Sequence, residues 1–310
     1  EIEQKGECGQ GAVEYIPEGT EAQCSNKCMG ICEIRCEWCN EILSVRKGSI
    51  KMKLQVLVST MHQTDHSLLE RMNIRSDAIV INQCDHDCIE RFTFRGYDIL
   101  WMSLNERGVG LSRNNALMRA SGDILLFADD DVVYTDDYVG KITGCFENNP
   151  KSDLIVFNLQ SQNPNRPEAI VEKEYKLHWY NSLKFGACRI AIRQDAIRKA
   201  NVFYSLLFGG GAKYQSGEDN LFIIQCLKKS ISGLASKEII GTVQQEESTW
   251  FKGFDEKYFF DKGVLMKQCF GPWAKLLLIA LLAKNGRQTQ ELGLKKALSL
   301  AFKGADSMCM

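Results

Sequence analysis

Residues 124–134 read ILLFADDDVVY. The run at 124–128 is too short for a free-standing helix and is apolar on both alternating faces, as a strand buried inside a parallel sheet must be. It leads straight into Asp129, Asp130 and Asp131. In an open α/β sheet, ligands collect beyond the carboxyl ends of the strands, so these acids would project into a site. Adjacent carboxylates repel one another unless they face water or hold a cation. Mg²⁺ or Mn²⁺ takes one or two carboxylates and completes its shell with phosphate oxygens and water. The triplet therefore reads either as a metal-assisted phosphate site or as a solvated acidic turn.

Outward from this strand the chain alternates. Upstream, residues 54–59 (LQVLVS), 78–82 (AIVIN) and 99–104 (ILWMSL) read as further buried strands, with helices at 67–72 and at 111–120, the latter ended by Gly122. Downstream, Thr135 is placed to cap a helix carrying Asp136 and Asp137 in its first turn and stopped by Pro150. A strand at 154–160, a helix at 173–183, a strand at 189–192 and a helix at 195–200 follow. Next come the glycine-rich loop FGGGAKYQSG (208–217), a helix from Glu218 to about Lys229, a strand at 239–243 and a helical remainder. The class is α/β.

The chain has 310 residues, 45% hydrophobic and 25% charged, enough for a sizeable core, and its formal charge of -1 offers no field for a nucleic-acid polymer. No apolar stretch approaches the roughly 20 residues of a bilayer span, and no secretory pattern opens the chain, so the cytoplasm is expected. Of 13 cysteines, six fall in the first 39 residues. The spacing of Cys24, Cys28, Cys32, Cys36 and Cys39 matches neither a paired zinc-finger pattern nor a ferredoxin run. Residues 1–51 are expected to be accessory, because Met52 stands just before the first strand.

Two further segments carry chemistry. SGEDN (216–220) opens a helix after the glycine loop; its carboxylates read either as an ordinary N-terminal cap or, beside a donor, as a base able to take a proton from an attacking hydroxyl, with Asp219 the candidate and Glu218 orienting the acceptor or the helix. NERGVGLSRNNALMRASGD (105–123) sets Gly108 and Gly110 before a helix whose first turn would present Arg113 and Asn114. A guanidinium and helix N-terminal N–H groups suit diphosphate oxygens.

In this order the segments resemble the inverting glycosyltransferase family 2, over about residues 52–265. The resemblance implies a GT-A fold: a mostly parallel twisted sheet flanked by helices, with a donor half at 52–160, an acceptor half at 161–265 and a helical C-terminal extension at 266–310. It implies that Asp129 and Asp131 hold Mn²⁺ or Mg²⁺, that Asp219 is the catalytic base with Glu218 orienting the acceptor or the helix, and that Ser59, Arg113, Asp129 and Asp130 contact the nucleotide-sugar donor. Where many members carry an acidic or Asp-Gly-Ser turn after the second strand, this chain reads INQCDHD (81–87), so Asn82, Gln83 or Asp85 would meet the base. No histidine follows Asp219; Gln244 and Gln245 occupy the region where some GT-A enzymes place one. Residues 208–220 and STWF (248–251) are similar to members that build capsular or other cell-surface polysaccharides. That likeness implies UDP as the commonest nucleotide and a glycan or lipid-linked acceptor.

His62 and His66, close after the first strand, read either as donor contacts or as surface residues. Residues 273–283 (WAKLLLIALLA), followed by Lys284, Arg287, Lys295, Lys296 and Lys303, read either as a helix lying in a membrane interface on the inner face of the cell membrane or as one packed on the catalytic domain. A sugar-1-phosphate nucleotidyltransferase would want a basic glycine loop after the first strand, which STMHQTDH (59–66) is not. A non-catalytic sugar-nucleotide or polysaccharide-binding module would have no use for Asp129, Asp131 and Asp219 together.

Overall fold

The structure, a computed structural model, describes residues 52–244, 253–284 and 286–308. The N-terminal cysteines, Gln245 and residues 248–251 lie outside the described residues. The chain divides after Ile50, and the second unit is described here.

Its strands are β1 (Leu54–Met61), β2 (Asp77–Gln83), β3 (Cys88–Phe94), β4 (Tyr97–Leu104), β5 (Ile124–Asp129), β6 (Val132–Tyr134), β7 (Leu154–Ser161), β8 (Tyr175–Lys176), β9 (Ile190–Arg193) and β10 (Gly233–Val243). They form one sheet in the order β3-β4-β2-β1-β5-β9-β7-β10-β6, with β8 paired to β10. β4, β2, β1 and β5 run parallel, as do β7 and β10, while β3, β6, β8 and β9 pair antiparallel, so the sheet is mixed and parallel in its donor half. From β1 the chain builds outward to β2 and β4, then returns to the other side of β1 for β5. That reversal opens a crevice at the carboxyl ends of β1 and β5, where open α/β sheets bind ligands. Ser59 lies opposite Asp129 in the register.

Alternation along β1 sends Val56 and Val58 into one core and Leu57 into the other. Helix α1 (Leu68–Arg71), α2 (Val109–Arg119), α3 (Tyr138–Asn148), α4 (Gln194–Ala200) and α5 (Glu218–Lys228) cover the two faces. Leu68 and Leu69 of α1 and Tyr138, Ile142 and Phe146 of α3 fill the first core, and Ala116 and Leu117 of α2 with Phe222 and Ile223 of α5 fill the second. Each buried Leu, Ile or Phe side chain among these stabilises the fold by about 1.5–3 kcal/mol.

Three expectations are corrected. The helix expected at 173–183 is absent: Tyr175 and Lys176 pair with β10, and the backbone N–H of Leu177 donates to Gly233 O at 2.9 Å. Sheet pairing overrides the local pattern, and the same pairing extends β10 back to Gly233. Thr135 does not cap α3; its hydroxyl donates to Ile240 O at 3.3 Å, and Asp137 holds the cap position. β3 was not expected. It forms a hairpin with β4 through Arg95 and Gly96, whose φ values of 51° and 85° are those of a two-residue turn of the type strand twist favours.

The C-terminal helices are α6 (Glu256–Phe270), α7 (Ala274–Lys284) and α8 (Leu294–Ser307). Asp255 caps α6 by accepting the Tyr258 N–H at 2.7 Å. α6 and α8 cross at glycines, since a Cβ on Gly263 would fall 1.8 Å from Ala301 O and one on Gly304 2.0 Å from Phe260 O. The expectation that no stretch approaches a bilayer span is also corrected. Joined through the turn Gly271–Trp273, the stretch Glu256–Lys284 is long and apolar enough to cross one by length and composition, although its α6 part is committed to α8.

Candidate active site

Arg113 organises the site. It sits in the second turn of α2, which begins at Val109, not in the first turn as expected, and is 3% exposed. Its Nη2 donates to Asp129 Oδ1 at 2.8 Å, and its Nη1 donates to Asp219 Oδ1 at 2.7 Å and to Glu218 Oε1 at 3.3 Å. The guanidinium carbon lies 5.2 Å from the ring centre of Tyr204, which stacks on Phe222. Burial opposes the arginine's charge, but Asp219, Asp129 and Glu218 more than offset it and hold its pKa well above the usual value. Both ends of the guanidinium fork are therefore engaged with carboxylates. Asn114 is not on a solvated face: its amide pairs with the backbone of Tyr204, donating to the carbonyl at 2.9 Å and accepting the N–H at 2.8 Å.

Glu218 and Asp219 open α5, where negative charge is favoured by the helix dipole. Neither caps it; Gly217 stands at the cap. Asp219 Oδ2 accepts the Ala187 N–H at 2.9 Å, so both its oxygens are held. Burial pushes its pKa up to about 7, against the pull of Arg113 and with a further push from Glu218 and Asp129. The glycine-rich loop lies against this pair. A Cβ on Gly209, whose φ is 103°, would come within 2.8 Å of Glu218 Cδ, and Gly210 O accepts the Val109 N–H at 3.0 Å. Cys188 is held well above the usual thiol range by burial and by Asp129, Asp131 and Asp219, in keeping with a structural thiol.

At the end of β5, Asp130 accepts from Thr60 Oγ1 at 2.5 Å, and the Asp131 carbonyl accepts the Gln244 N–H at 3.1 Å. A pocket of about 410 Å³ opens between β1, β5 and α2. Ser59, Gln83, Arg113, Asp129, Asp130 and Glu218, all expected site residues, line it, with Thr60 and Arg107. Gln83 Oε1 accepts the Gly108 N–H at 2.7 Å, so two N–H groups at the start of α2, those of Gly108 and Val109, are already satisfied within the protein.

Asn82, Asp85, Asp131 and Asp219 do not line this pocket. Asn82 is fully buried, its amide bound to the backbone of Gln63 and to Ser103 Oγ. Asp85 points outward and pairs with His86 at 3.0 Å, in a second pocket of about 470 Å³ that His62 and His66 also line. His66 stacks on Phe92 and pairs with Glu90. Among the described residues, the three potential ligands whose atoms lie within 4.8 Å of one another are Cys84, Asp85 and His86, not the aspartates of the strand end. Thr60, Arg107 and Ala187 were missed in the sequence. Thr60 stands next to Ser59 within β1 and Arg107 stands in the loop before α2, but nothing local marks Ala187.

Residues 59–199 match the model of "Glycosyl transferase family 2". No curated protein matches the sequence significantly. Among solved structures, S. aureus TarS 1–349 in complex with UDP-GlcNAc superposes with a TM-score of 0.59 at 14% identity, over 81% of this chain and 79% of that one. S. aureus TarS 1–349 in complex with UDP gives 0.57 at 13% identity, over 82% and 81%. With the family match spanning the strand-end acids and Arg113, residues 59–199 are similar to glycosyltransferase family 2, and the sheet and flanking helices form a GT-A fold.

Proposed function

We propose that the protein transfers a hexose-type sugar, with inversion, from a nucleoside-diphosphate donor to a hydroxyl of a glycan or lipid-linked acceptor in cell-surface polysaccharide or glycolipid synthesis. UDP is the first choice of nucleotide, and the setting is the cytoplasm at the inner face of the cell membrane. The observation that carries this reading is the buried Arg113, which ties the acid of the donor strand, Asp129, to Glu218 in the same pocket and to Asp219 just behind it.

The donor set suits a hard divalent cation. One guanidinium faces three carboxylates, and Asp130 and Asp131 add more acid at the same strand end. A diphosphate would be repelled there without a cation, and carboxylate oxygens are the ligands Mg²⁺ and Mn²⁺ prefer. Asp129 and Asp131 would hold it, and when bound it offsets the diphosphate charge.

The residues divide the remaining work. Ser59 and Gln83 line the pocket for the nucleoside, and the exposed Arg107 for the phosphates, a role Arg113 cannot share while its fork holds Asp129 and Asp219. Asp219, ionised, takes the acceptor hydroxyl's proton as the oxygen attacks the anomeric carbon, and Glu218 beside it orients the acceptor. Tests with a panel of nucleotide sugars, with and without Mn²⁺, should give nucleoside diphosphate and a product of inverted anomeric configuration by NMR. A product of retained configuration, or no turnover of any donor, would overturn the mechanism.

A further inference from the structure

A cavity larger than that of the candidate site lies away from the acids, at the other end of α5. It encloses about 920 Å³ between β8, the C-terminal turn of α5 and the start of α7, with walls that include Leu227, Ile231, Phe270 and Leu277. Among the described residues its lining includes Lys176 and Lys228 and no acidic residue. Trp179 and Trp273 stand at it, 48% and 67% exposed, and Trp179 meets Phe270 edge to face, which makes the loop after β8 and the C-terminal helices one continuous face.

α7 extends this face. Ala274, Leu278 and Leu282 are buried at helical spacing, yet the opposite side, with Leu276 at 60% and Ile279 at 46% exposure, is apolar as well. A surface helix normally turns polar residues outward. Here the only charged residues of α7 are Lys275, which pairs with Asp306 of α8 at 2.8 Å, and Lys284 at its end, while Lys176 and Lys228 supply charge at the cavity. Exposed apolar side chains, tryptophans and lysines without acids are what the headgroup region of an anionic bilayer accepts: tryptophan for its amphipathic ring, lysine for lipid phosphate.

We propose that the face formed by Trp179, Trp273, Leu276 and Ile279, flanked by Lys176 and Lys228, docks on the surface of an anionic membrane. This deepens the membrane-face setting of the proposed function and rests on it, while its test reads lipid binding and not transfer. The geometry gives docking a use. α5 leads from Lys228 at this face back to Asp219, about nine residues and about 14 Å of helix away, within reach of the head of a lipid-linked acceptor. The loop that carries Trp179 continues to Ala187, whose N–H holds Asp219.

The test is flotation of the full chain with phosphatidylcholine vesicles that contain or lack phosphatidylglycerol, at physiological salt. The protein should float with the anionic vesicles. Trp179→Ser combined with Trp273→Ser should lower the bound fraction at least about tenfold, and Lys176→Glu with Lys228→Glu should remove the preference for anionic lipid. All these side chains are at the surface, and circular dichroism should show native spectra. A parent chain that does not float, or a tryptophan variant with a native spectrum that floats like the parent, overturns the proposal. So does a parent dimer in sedimentation that the tryptophan changes dissolve, since the face would then join two copies. UDP binding with Mn²⁺, measured on the same samples, should be unchanged in the variants; its absence from the parent would sink the transferase reading and leave the docking result standing.

Discussion

Arg113 Nη1 lies 2.7 Å from Asp219 Oδ1, joining residues 106 positions apart in sequence, while Nη2 of the same side chain holds Asp129. Removing this cation leaves three carboxylates facing one another without compensation. Arg113→Ala is expected to cost about 3–5 kcal/mol of stability, as breaking a buried ion pair does. Arg113→Lys should recover only part of it, because a single ammonium does not reproduce the planar fork. Thermal denaturation of both variants measures this, and a melting point unchanged in Arg113→Ala would contradict the central role given to the arginine.

Asp219→Asn keeps the shape of the α5 N-terminus but cannot accept the hydroxyl proton. Donor affinity should persist while transfer falls by about 10²–10⁴-fold, the usual worth of general-base catalysis. Calorimetry of nucleoside-diphosphate binding beside a transfer assay separates the two effects; near-normal transfer would move the role of base to Glu218.

The pH profile follows from the same group. Asp219 works in its ionised form, and burial raises its pKa to about 7, so transfer should fall as pH drops below about 7 and level off above it. The charge of Glu218 pushes that pKa up, and Glu218→Gln should therefore shift the midpoint to lower pH. A midpoint that stays in place would mean that the two carboxylates do not sense each other.

Asp131→Asn should weaken Mn²⁺-dependent donor binding and turnover together, and chelation of divalent ions should do the same to the parent protein. Binding of UDP that is indifferent to both Mn²⁺ and the substitution would show that the strand-end acids serve another purpose.

Much of this was written locally. The strands around AIVIN and ILLFA could be read because short apolar runs are buried wherever the chain places them, and the acids were legible because they end such a run. The hairpin of β3 escaped notice since this edge strand buries none of its residues, Glu90 and Arg91 being exposed on opposite faces, and so carries no apolar alternation; the Arg95-Gly96 turn was its one local signal. The segment at 173–183 has a helical pattern, and only β10 alongside it makes a strand of Tyr175 and Lys176.

The sequence by itself determined that an α/β sheet ends in acids and that a glycine loop precedes a Glu-Asp pair, because each depends on neighbours within a few residues, and the order of these segments resembled that of a glycosyltransferase. Only the tertiary structure decided what Arg113 does. Its three carboxylate partners lie 16, 105 and 106 positions away, and the packing of α2 and α5 on one face of the sheet brings them together.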